Sequence, residues 1–470
     1  MAQGHGDRLS GLDTAFLELE TPTQHMHVGG VFLFRPGPDS TFTFEHFQRL
    51  VRSRMHRVPR YRQKLAWPPL GMAHPMWVDD PNFDLAYHVR HAALPRPGGQ
   101  DQLLEYAGRI LSRQLDRQRP LWELYVVEGL ENGDIAIIGK NHHAMIDGMA
   151  GVDITAILLD TEVLGPDDIT RPQPWDPLPT PSSLSQVSSV VRGVASSPSE
   201  MAMVAKGVVD APLDVAAKAV AVGRGLVSTT SSLLGLAPRS VLNQAPGISR
   251  RMAIQRIELD RIKKIKNAFG TTVNDVVLAT VGDALGRYLR HRHQVTTNVE
   301  LRAMVPVSVR SGDPTAHGNQ VTSVFVDLPV GEMDPVARLR TISERMGNVK
   351  ASHSAVGADF LLNLAGFAPP TLHALGARAA SQTRLYNVLV TNVPGPQVPL
   401  FTLGARLVGA HPFVPLAATQ SLGIGLISLD GMVHIGLTAD YDALPDVSII
   451  PDLLAGAAGD LEACALALHS

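Results

Sequence analysis

One stretch in the first third of the chain constrains its fold more than any other, because a strand pattern runs directly into paired histidines. Residues 135–138 form an uninterrupted apolar run that predicts a strand. His142 and His143 follow, with Asp147 four residues after the second histidine and Gly148 next to it. Apolar positions at helical spacing come next. The sequence therefore predicts a strand–loop–helix unit whose loop presents ionisable side chains at the end of a sheet.

The paired histidines suit proton transfer better than metal binding. A free imidazole has a pKa of about 6.5, so it gains and loses a proton near neutral pH. Zinc sites take at least three protein ligands at recognisable spacing, whereas the interval from His143 to Asp147 supplies two and no obvious partner follows. A lone histidine beside a strand is most often structural, but the whole pattern, His-His-x-x-x-Asp-Gly, is more specific. We therefore expect no metal here and a catalytic role for this loop.

Length and composition limit the classes of protein to which the chain can belong. The chain has 470 residues, which is long for one core and predicts two domains of about 200 residues. Its formal net charge of −3 lacks the basic excess of nucleic-acid-binding proteins, so we expect no nucleic-acid partner. Cys464 is the only cysteine, which excludes a disulfide within the chain and fits a reducing, cytoplasmic compartment. We expect neither a signal peptide nor a membrane span, because no long apolar run occurs.

Strand and helix patterns are mixed in both halves of the chain, and hairpins are present. We therefore predict an α/β (α+β) sandwich with mixed sheets, not a doubly wound parallel fold. Prolines and serines after residue 165 mark a linker, which divides the chain into segments 1–165, 166–249 and 250–470. Within the middle segment, residues 190–236 are rich in Ala, Val and Ser. They predict either a crossover helix packed on the core or a surface that beds into lipid.

Local signals predict individual elements. Thr272 is a suitable N-cap for a helix, and the pair Asp430-Gly431 has the composition of a two-residue hairpin turn. Residues 83–94 alternate weakly and predict a strand. Trp122, in a predicted strand, is interpreted as a packing residue.

Motifs that are missing exclude other chemistries. The sequence has no Gly-x-Ser-x-Gly serine-hydrolase elbow, and neither a Walker A loop nor a dinucleotide-binding glycine motif is complete. We therefore expect no bound cofactor. The remaining chemistry is a histidine base that acts directly on a hydroxyl or amine, without a covalent enzyme intermediate.

The motif and its companions resemble a known family over nearly the full length of the chain. His142-His143-Ala-Met-Ile-Asp147-Gly148 looks like the HHxxxDG motif of CoA-dependent acyltransferases, a motif that peptide-synthetase condensation domains share. The accompanying motifs are narrower and are similar to those of bacterial wax ester synthase/diacylglycerol acyltransferases, with the closest likeness to mycobacterial triacylglycerol synthases. They are Pro120-Leu-Trp122, Asn274-Asp275, Asn392-Val-Pro-Gly395 and the opening Leu12-Asp13 with Met26-His-Val-Gly29.

The resemblance implies two chloramphenicol-acetyltransferase-like subdomains with a tunnel between them and the histidines at its middle. It implies that His143 is the general base, that His142 supports the shape of the site or the acceptor, and that Asp147 orients the loop. Gly148 permits a sharp exit or a close backbone approach to substrate. Asn274 is suited by type to donate to the thioester carbonyl or oxyanion, although a simple helix cap is an equal alternative. We interpret Asn392 as a turn residue.

These implications predict an acyl-CoA:diacylglycerol O-acyltransferase that makes triacylglycerol, with wax ester synthesis from long-chain alcohols as a second activity. Long-chain acyl-CoA is then a substrate and not a cofactor. The alternatives are transfer from a carrier-protein thioester, as in condensation-type enzymes, and a non-catalytic lipid-binding protein. Because acceptor and product are insoluble in water, we also expect peripheral association with the inner membrane or with lipid droplets.

Overall fold

The computed structural model describes residues 6–68, 74–145, 157–182, 236–309, 320–351 and 384–468. Within these ranges the strands are β1 (His27–Pro36), β2 (Gln63–Ala66), β3 (Met76–Asp79), β4 (Val89–Ala93), β5 (Trp122–Glu128), β6 (Ile135–His142), β7 (Arg250–Glu258), β8 (Leu301–Val309), β9 (Gln320–Leu328), β10 (Val388–Pro394), β11 (Phe401–Thr402), β12 (Ala405–Phe413), β13 (Leu422–Leu429) and β14 (Met432–Asp440). The α-helices are α1 (Gly11–Leu19), α2 (Phe44–Arg54), α3 (Leu85–His88), α4 (Gln100–Leu111), α5 (Leu259–Phe269), α6 (Val273–His291), α7 (Pro335–Ala351) and α8 (Ile450–Ala467). Strands β2 and β3 form a separate two-stranded sheet.

The first large sheet has the order β11-β12-β1-β6-β5-β4, and only the pair β4 and β5 is parallel. Every residue of β6 is buried, because both faces of the strand are covered. Ile135 and Ile137 belong to an apolar cluster with α2, whereas Ala136 and Ile138 belong to another with α4. The continuous apolar run that predicted this strand is therefore the pattern of a strand with no exposed face.

Strand β12 lies late in the sequence, yet it pairs with β1 in the first sheet, from Gly29 opposite Phe413 to Pro36 opposite Ala405. Close packing of β1 on β6 depends on glycine. A Cβ atom at Gly29 would lie 1.9 Å from the carbonyl oxygen of Gly139. Because β12 pairs with β1, the two halves of the chain share a sheet. The domain boundaries predicted at residues 165 and 249 stay predictions.

The second large sheet has the order β7-β14-β13-β10-β8-β9, in which β10 is parallel to both of its neighbours. Helices α5 to α8 pack with this sheet in one apolar cluster. Strands β13 and β14 form the predicted hairpin, and its turn residues Asp430 and Gly431 have φ angles of 46° and 76°, as a type I′ turn requires. Helices packed on sheets of mixed strand direction confirm the predicted α/β class.

Two local predictions have different outcomes. Thr272 is the N-cap of α6, as predicted, and its Oγ1 accepts the N–H of Asp275 at 3.2 Å. The single strand predicted over residues 83–94 is wrong. The Asp84 carboxylate accepts the N–H of Ala86 at 2.9 Å and starts the short helix α3, so the strand begins only at β4.

The predicted lipid-binding or crossover segment, residues 190–236, lies outside the described residues except for Leu236, and both interpretations stay predictions. Among the helices that the structure describes, none combines the length and the apolar character needed to cross a bilayer.

Buried histidines make the folded state sensitive to mild acid. Burial lowers the pKa of His27, His88 and His434 to about 4 and that of His411 to about 3, and it also lowers the pKa of His25. In the unfolded chain their pKa is about 6.5, so below this value the unfolded state takes up protons that the folded state does not. Stability is therefore complete above about pH 6.5 and is lost as the pH falls toward about 4. The loss reaches about 1.4 kcal/mol per pH unit for each histidine.

We expect the midpoint of thermal unfolding to fall as the pH drops from about 6.5 toward about 4, as measured by scanning fluorimetry. His88→Asn should make this dependence shallower, because asparagine places an amide donor where His88 Nδ1 lies, 2.7 Å from the carbonyl oxygen of Trp122, and cannot titrate. His91→Asn is the matched control, since the side chain of His91 is exposed. A midpoint that stays constant over this range would contradict the prediction.

Candidate active site

Main-chain hydrogen bonds from the two strands beside β6 hold the backbone of the histidine pair. Strand β6 ends at His142, whose N–H donates to the carbonyl oxygen of Leu121 at 2.9 Å. His143 begins the 3₁₀ helix His143–Met145, and its N–H donates to the carbonyl oxygen of Met26 at 2.7 Å. Leu121 and Met26 immediately precede β5 and β1, the two neighbours of β6. The loop therefore starts from a point that the sheet fixes.

The side chain of His142 is fully buried, and both of its ring nitrogens have neighbours. The N–H of Ala144 donates to Nδ1 at 3.1 Å, so Nδ1 is an acceptor and the proton of a neutral ring lies on Nε2. Nε2 lies 3.6 Å from Oε2 of Glu20. His142 is thus oriented by a main-chain donor on one side and a carboxylate on the other.

Glu20, directly after α1, is the centre of a buried polar cluster. Arg117 donates to its Oε2 through Nε at 3.0 Å and Nη2 at 2.6 Å, and Nε2 of His27 lies 3.4 Å from its Oε1. Burial alone would raise the pKa of Glu20, but hydrogen bonding to His142, His27 and Arg117 holds it well below its usual range. Glu20 is therefore ionised beside the paired histidines. Sequence analysis did not single it out, because nothing local distinguishes it from Glu18.

His143 differs from His142 in its surroundings. It is partly buried, and its ring packs against Phe16 of α1 with the ring centroids 4.0 Å apart and the planes tilted by 33°. Burial and, to a smaller extent, the nearby His142 lower the pKa of His143 to about 4, against a contact with its own backbone that raises it. The imidazole is therefore unprotonated at neutral pH. Its Nδ1 has no hydrogen-bond partner among the described residues.

Two predicted site residues, Asp147 and Gly148, lie outside the described residues. Their roles and the predicted tunnel stay predictions. Within the ranges that the structure does describe, no three His, Cys, Asp or Glu side chains are grouped so that they could hold a metal ion.

Asn274 lies in the first turn of α6 and is not its cap. Thr272 and Asp275 cap that helix reciprocally, since Asp275 Oδ2 also accepts the N–H of Thr272 at 2.9 Å. Oδ1 of Asn274 instead lies 3.5 Å from Nδ2 of Asn392. The interpretation of Asn392 as a turn residue is therefore wrong: it lies within β10, and its side chain reaches the Asn-Asp motif.

Trp122 is a packing residue, as predicted. It is completely buried, its Nε1 donates to the carbonyl oxygen of Tyr61 at 2.8 Å, and its indole stacks on His88 with centroids 4.6 Å apart. The Pro-Leu-Trp motif therefore stabilises the sheet that carries the histidines.

Two family models match this chain. The wax ester synthase/diacylglycerol acyltransferase catalytic domain matches residues 9–277, and the C-terminal domain of the same enzymes matches residues 317–460. The chain belongs to the wax ester synthase/diacylglycerol acyltransferase family. This confirms the resemblance that the motifs indicated, and the chain is accordingly an acyltransferase.

Relatives of this family cover almost the whole chain. A Mycobacterium tuberculosis protein named as a probable diacylglycerol O-acyltransferase is 36% identical over 467 residues, which are 96% of this chain and 97% of that protein. Another protein of that organism, also named as a diacylglycerol O-acyltransferase, is 34% identical over 465 residues, 97% of this chain and 90% of its own.

Solved structures agree with this assignment. The wax ester synthase/diacylglycerol acyltransferase from Marinobacter aquaeolei superposes with a TM-score of 0.69 at 27% identity, covering 98% of this chain and all of that one (100%). The first condensation domain of the calcium-dependent antibiotic synthetase has a TM-score of 0.57 at 14% identity, over 98% of this chain and 97% of its own. The second likeness concerns the fold alone, and both confirm the predicted fold of CoA-dependent acyltransferases.

Proposed function

We propose that this acyltransferase moves a long-chain acyl group from CoA to the free hydroxyl of diacylglycerol and so makes triacylglycerol, with long-chain alcohols as a second class of acceptor. The mycobacterial relatives carry the first activity in their names, and the Marinobacter relative carries both. The observation that supports this most directly is the position of His143, which follows β6 directly and packs on Phe16, where burial keeps its imidazole unprotonated.

In the proposed mechanism His143 is the general base. Its unprotonated ring accepts the proton of the acceptor hydroxyl as the oxygen attacks the thioester carbonyl. The same proton then passes to the departing CoA sulfur, so the enzyme ends in its starting state. A base of this kind contributes roughly 10²- to 10⁴-fold to the rate. His142 is less suited to the task, because Ala144 occupies its Nδ1 and Glu20 faces its Nε2. We assign His142 to support of the site.

The remaining assignments concern the loop and the second half of the chain. Asp147 orients the loop that carries the histidines, and Gly148 lets the backbone approach the substrate closely. Asn274 donates from Nδ2 to the thioester carbonyl as it becomes an oxyanion. Because its Oδ1 faces Nδ2 of Asn392, the donor end of the Asn274 amide is turned away from that contact. The side chains of Thr272 and Asp275 already cap the helix, which leaves Asn274 available.

Because diacylglycerol is insoluble in water, the enzyme has to bind it at a lipid surface. We include peripheral association with a membrane or lipid droplet in the proposal. An exposed indole supports it: Trp67, after β2, is 45% exposed, and tryptophan side chains favour membrane–water interfaces.

The test is acceptor-dependent release of CoA. Purified protein is incubated with palmitoyl-CoA and liposomes that contain diacylglycerol, and free thiol and triacylglycerol are measured together. We expect equal amounts of both, little thiol without acceptor, and a smaller signal with hexadecanol. Flotation of the same samples reads liposome binding, and Trp67→Ser should float less.

Two outcomes would overturn the proposal. Transfer from an acyl-carrier-protein thioester that palmitoyl-CoA does not inhibit would favour a condensation-type enzyme. Bound lipid without any turnover would favour a lipid-binding protein. Equal flotation of wild type and Trp67→Ser would remove only the surface assignment of Trp67.

A further inference from the structure

Helix α1 and its C-cap residue, Glu20, together contact both histidines of the pair. Phe16 packs on the ring of His143, and Glu20, four positions later, faces Nε2 of His142. Positions four apart lie above each other on the same side of a helix. One short element therefore reaches the whole histidine pair.

The position of α1 is fixed independently of the histidines. At its start, Ser10 Oγ accepts the N–H of Asp13 at 3.0 Å. At its end, Leu17 is buried in the cluster that also contains Ala144 and Met145, and Arg117 donates to the carbonyl oxygen of Leu17 at 2.6 Å. Because both ends are held, the backbone that carries Phe16 has a fixed position beside His143.

We propose that Phe16 is a positioning residue for His143: its ring covers one face of the imidazole, fixes the orientation of that ring and keeps water from it. The proposal rests on the proposed function in so far as His143 is the base. A tilted ring contact at 4.0 Å leaves no room for water between the two groups.

The loss of the Phe16 ring is expected to change the pKa of His143, which depends on burial and on the neighbouring charges. His142 is the titratable neighbour whose charge acts on it directly. Two groups lie next to His142: the carboxylate of Glu20, and His27, whose ring centroid is 6.2 Å from that of His142. Arg117 forms an ion pair with Glu20. Burial is the larger cause of the low pKa of His143. Removing the Phe16 ring admits water that can hydrate the imidazolium, so the pKa of His143 should rise toward its ordinary value of about 6.5.

The experiment is the pH dependence of kcat/KM for palmitoyl-CoA and diacylglycerol. In Phe16→Ala and Phe16→Leu we expect the acid limb to move upward by about one pH unit or more, whereas Phe16→Tyr should keep it near that of the wild type. The matched control is Phe44→Ala. Phe44 stacks on His91 with centroids 4.5 Å apart, outside the described site, so its loss should leave the acid limb unchanged. Leucine preserves most of the apolar volume if alanine impairs folding.

Three results would overturn the proposal: an acid limb that does not move in either variant, equal shifts in Phe16→Ala and Phe44→Ala, or a uniform loss at every pH. The last is the signature of a merely structural role.

A second readout separates Phe16 from the proposed function. Diethyl pyrocarbonate modifies the unprotonated imidazole, so its rate of reaction at His143, followed by mass spectrometry against pH, reports the protonation of that ring without catalysis. An upward shift in Phe16→Leu, together with full activity of a His143 variant, would preserve the positioning role and remove the assignment of the base. An unshifted modification profile would remove the positioning role itself.

Discussion

Acyl transfer by His143→Ala is expected to fall roughly 10²- to 10⁴-fold, the range that a positioned general base contributes. Without the imidazole nothing accepts the proton of the hydroxyl as it attacks, so kcat and kcat/KM should fall together while KM changes little. The measurement is release of CoA from palmitoyl-CoA with diacylglycerol in excess. Burial keeps the pKa of His143 near 4, so at a temperature where the protein stays folded the wild type should retain its rate from neutral pH down to about pH 5.

The control must preserve the packing of the loop. His143→Gln keeps a planar polar group against Phe16 and should lose as much activity as the alanine variant. Its unfolding midpoint should stay close to that of the wild type. His91→Ala, at the exposed histidine, should remain fully active. Undiminished CoA release by both His143 variants would exclude this residue as the base.

Asn274→Ala is expected to lower kcat by about 10²- to 10³-fold, the cost of removing one oxyanion donor. The amide is proposed to donate more strongly to the developing oxyanion than to the ground-state carbonyl, so KM for acyl-CoA should change much less than kcat. Asn274→Asp should be at least as impaired, because a carboxylate repels the negative charge that develops on the oxygen. Single-turnover measurements of thioester cleavage report this step without product release.

Asn267→Ala is the matched control. Asn267 lies in the last turn of α5 and is exposed, and its Oδ1 accepts from the neighbouring Lys266. Its removal should leave the rate within about twofold, as most surface substitutions do. A kcat of Asn274→Ala equal to that of Asn267→Ala would exclude the oxyanion role. Thr272 and Asp275 remain in both variants, so helix capping is constant.

Short-range signals predicted a large part of the fold. The apolar run of β6 and the turn pair Asp430-Gly431 determine strand and hairpin because their physics lies within a few residues. Gly270, with a φ of 67°, ends α5 in the left-handed conformation that glycine adopts readily at helix ends. The histidine pair was located in the same way, because residues that directly follow a buried strand lie at the end of the sheet.

Other parts of the site depend on contacts between residues that are remote in sequence. Glu20 is recognised as part of the site by contacts such as that with Arg117, 97 positions away. Asn392 is recognised by its contact with Asn274, 118 positions away. Local pattern predicted a turn at Asn392 because a following proline and glycine are usual in turns. The segment instead extends β10 alongside β13, whose register is set by the whole second sheet.

The late strand β12, paired with β1, has a consequence for biosynthesis. Residues up to His142 leave the ribosome well before the strand that ends at Phe413 has been made. At ordinary translation speeds the delay is roughly 15 to 50 s. During that time one edge of β1 in the nascent chain exposes unpaired main-chain donors and acceptors, the kind of edge to which other polypeptides add. Expression yield of this enzyme should therefore depend on chaperones that shield the nascent chain until its own closing strand arrives.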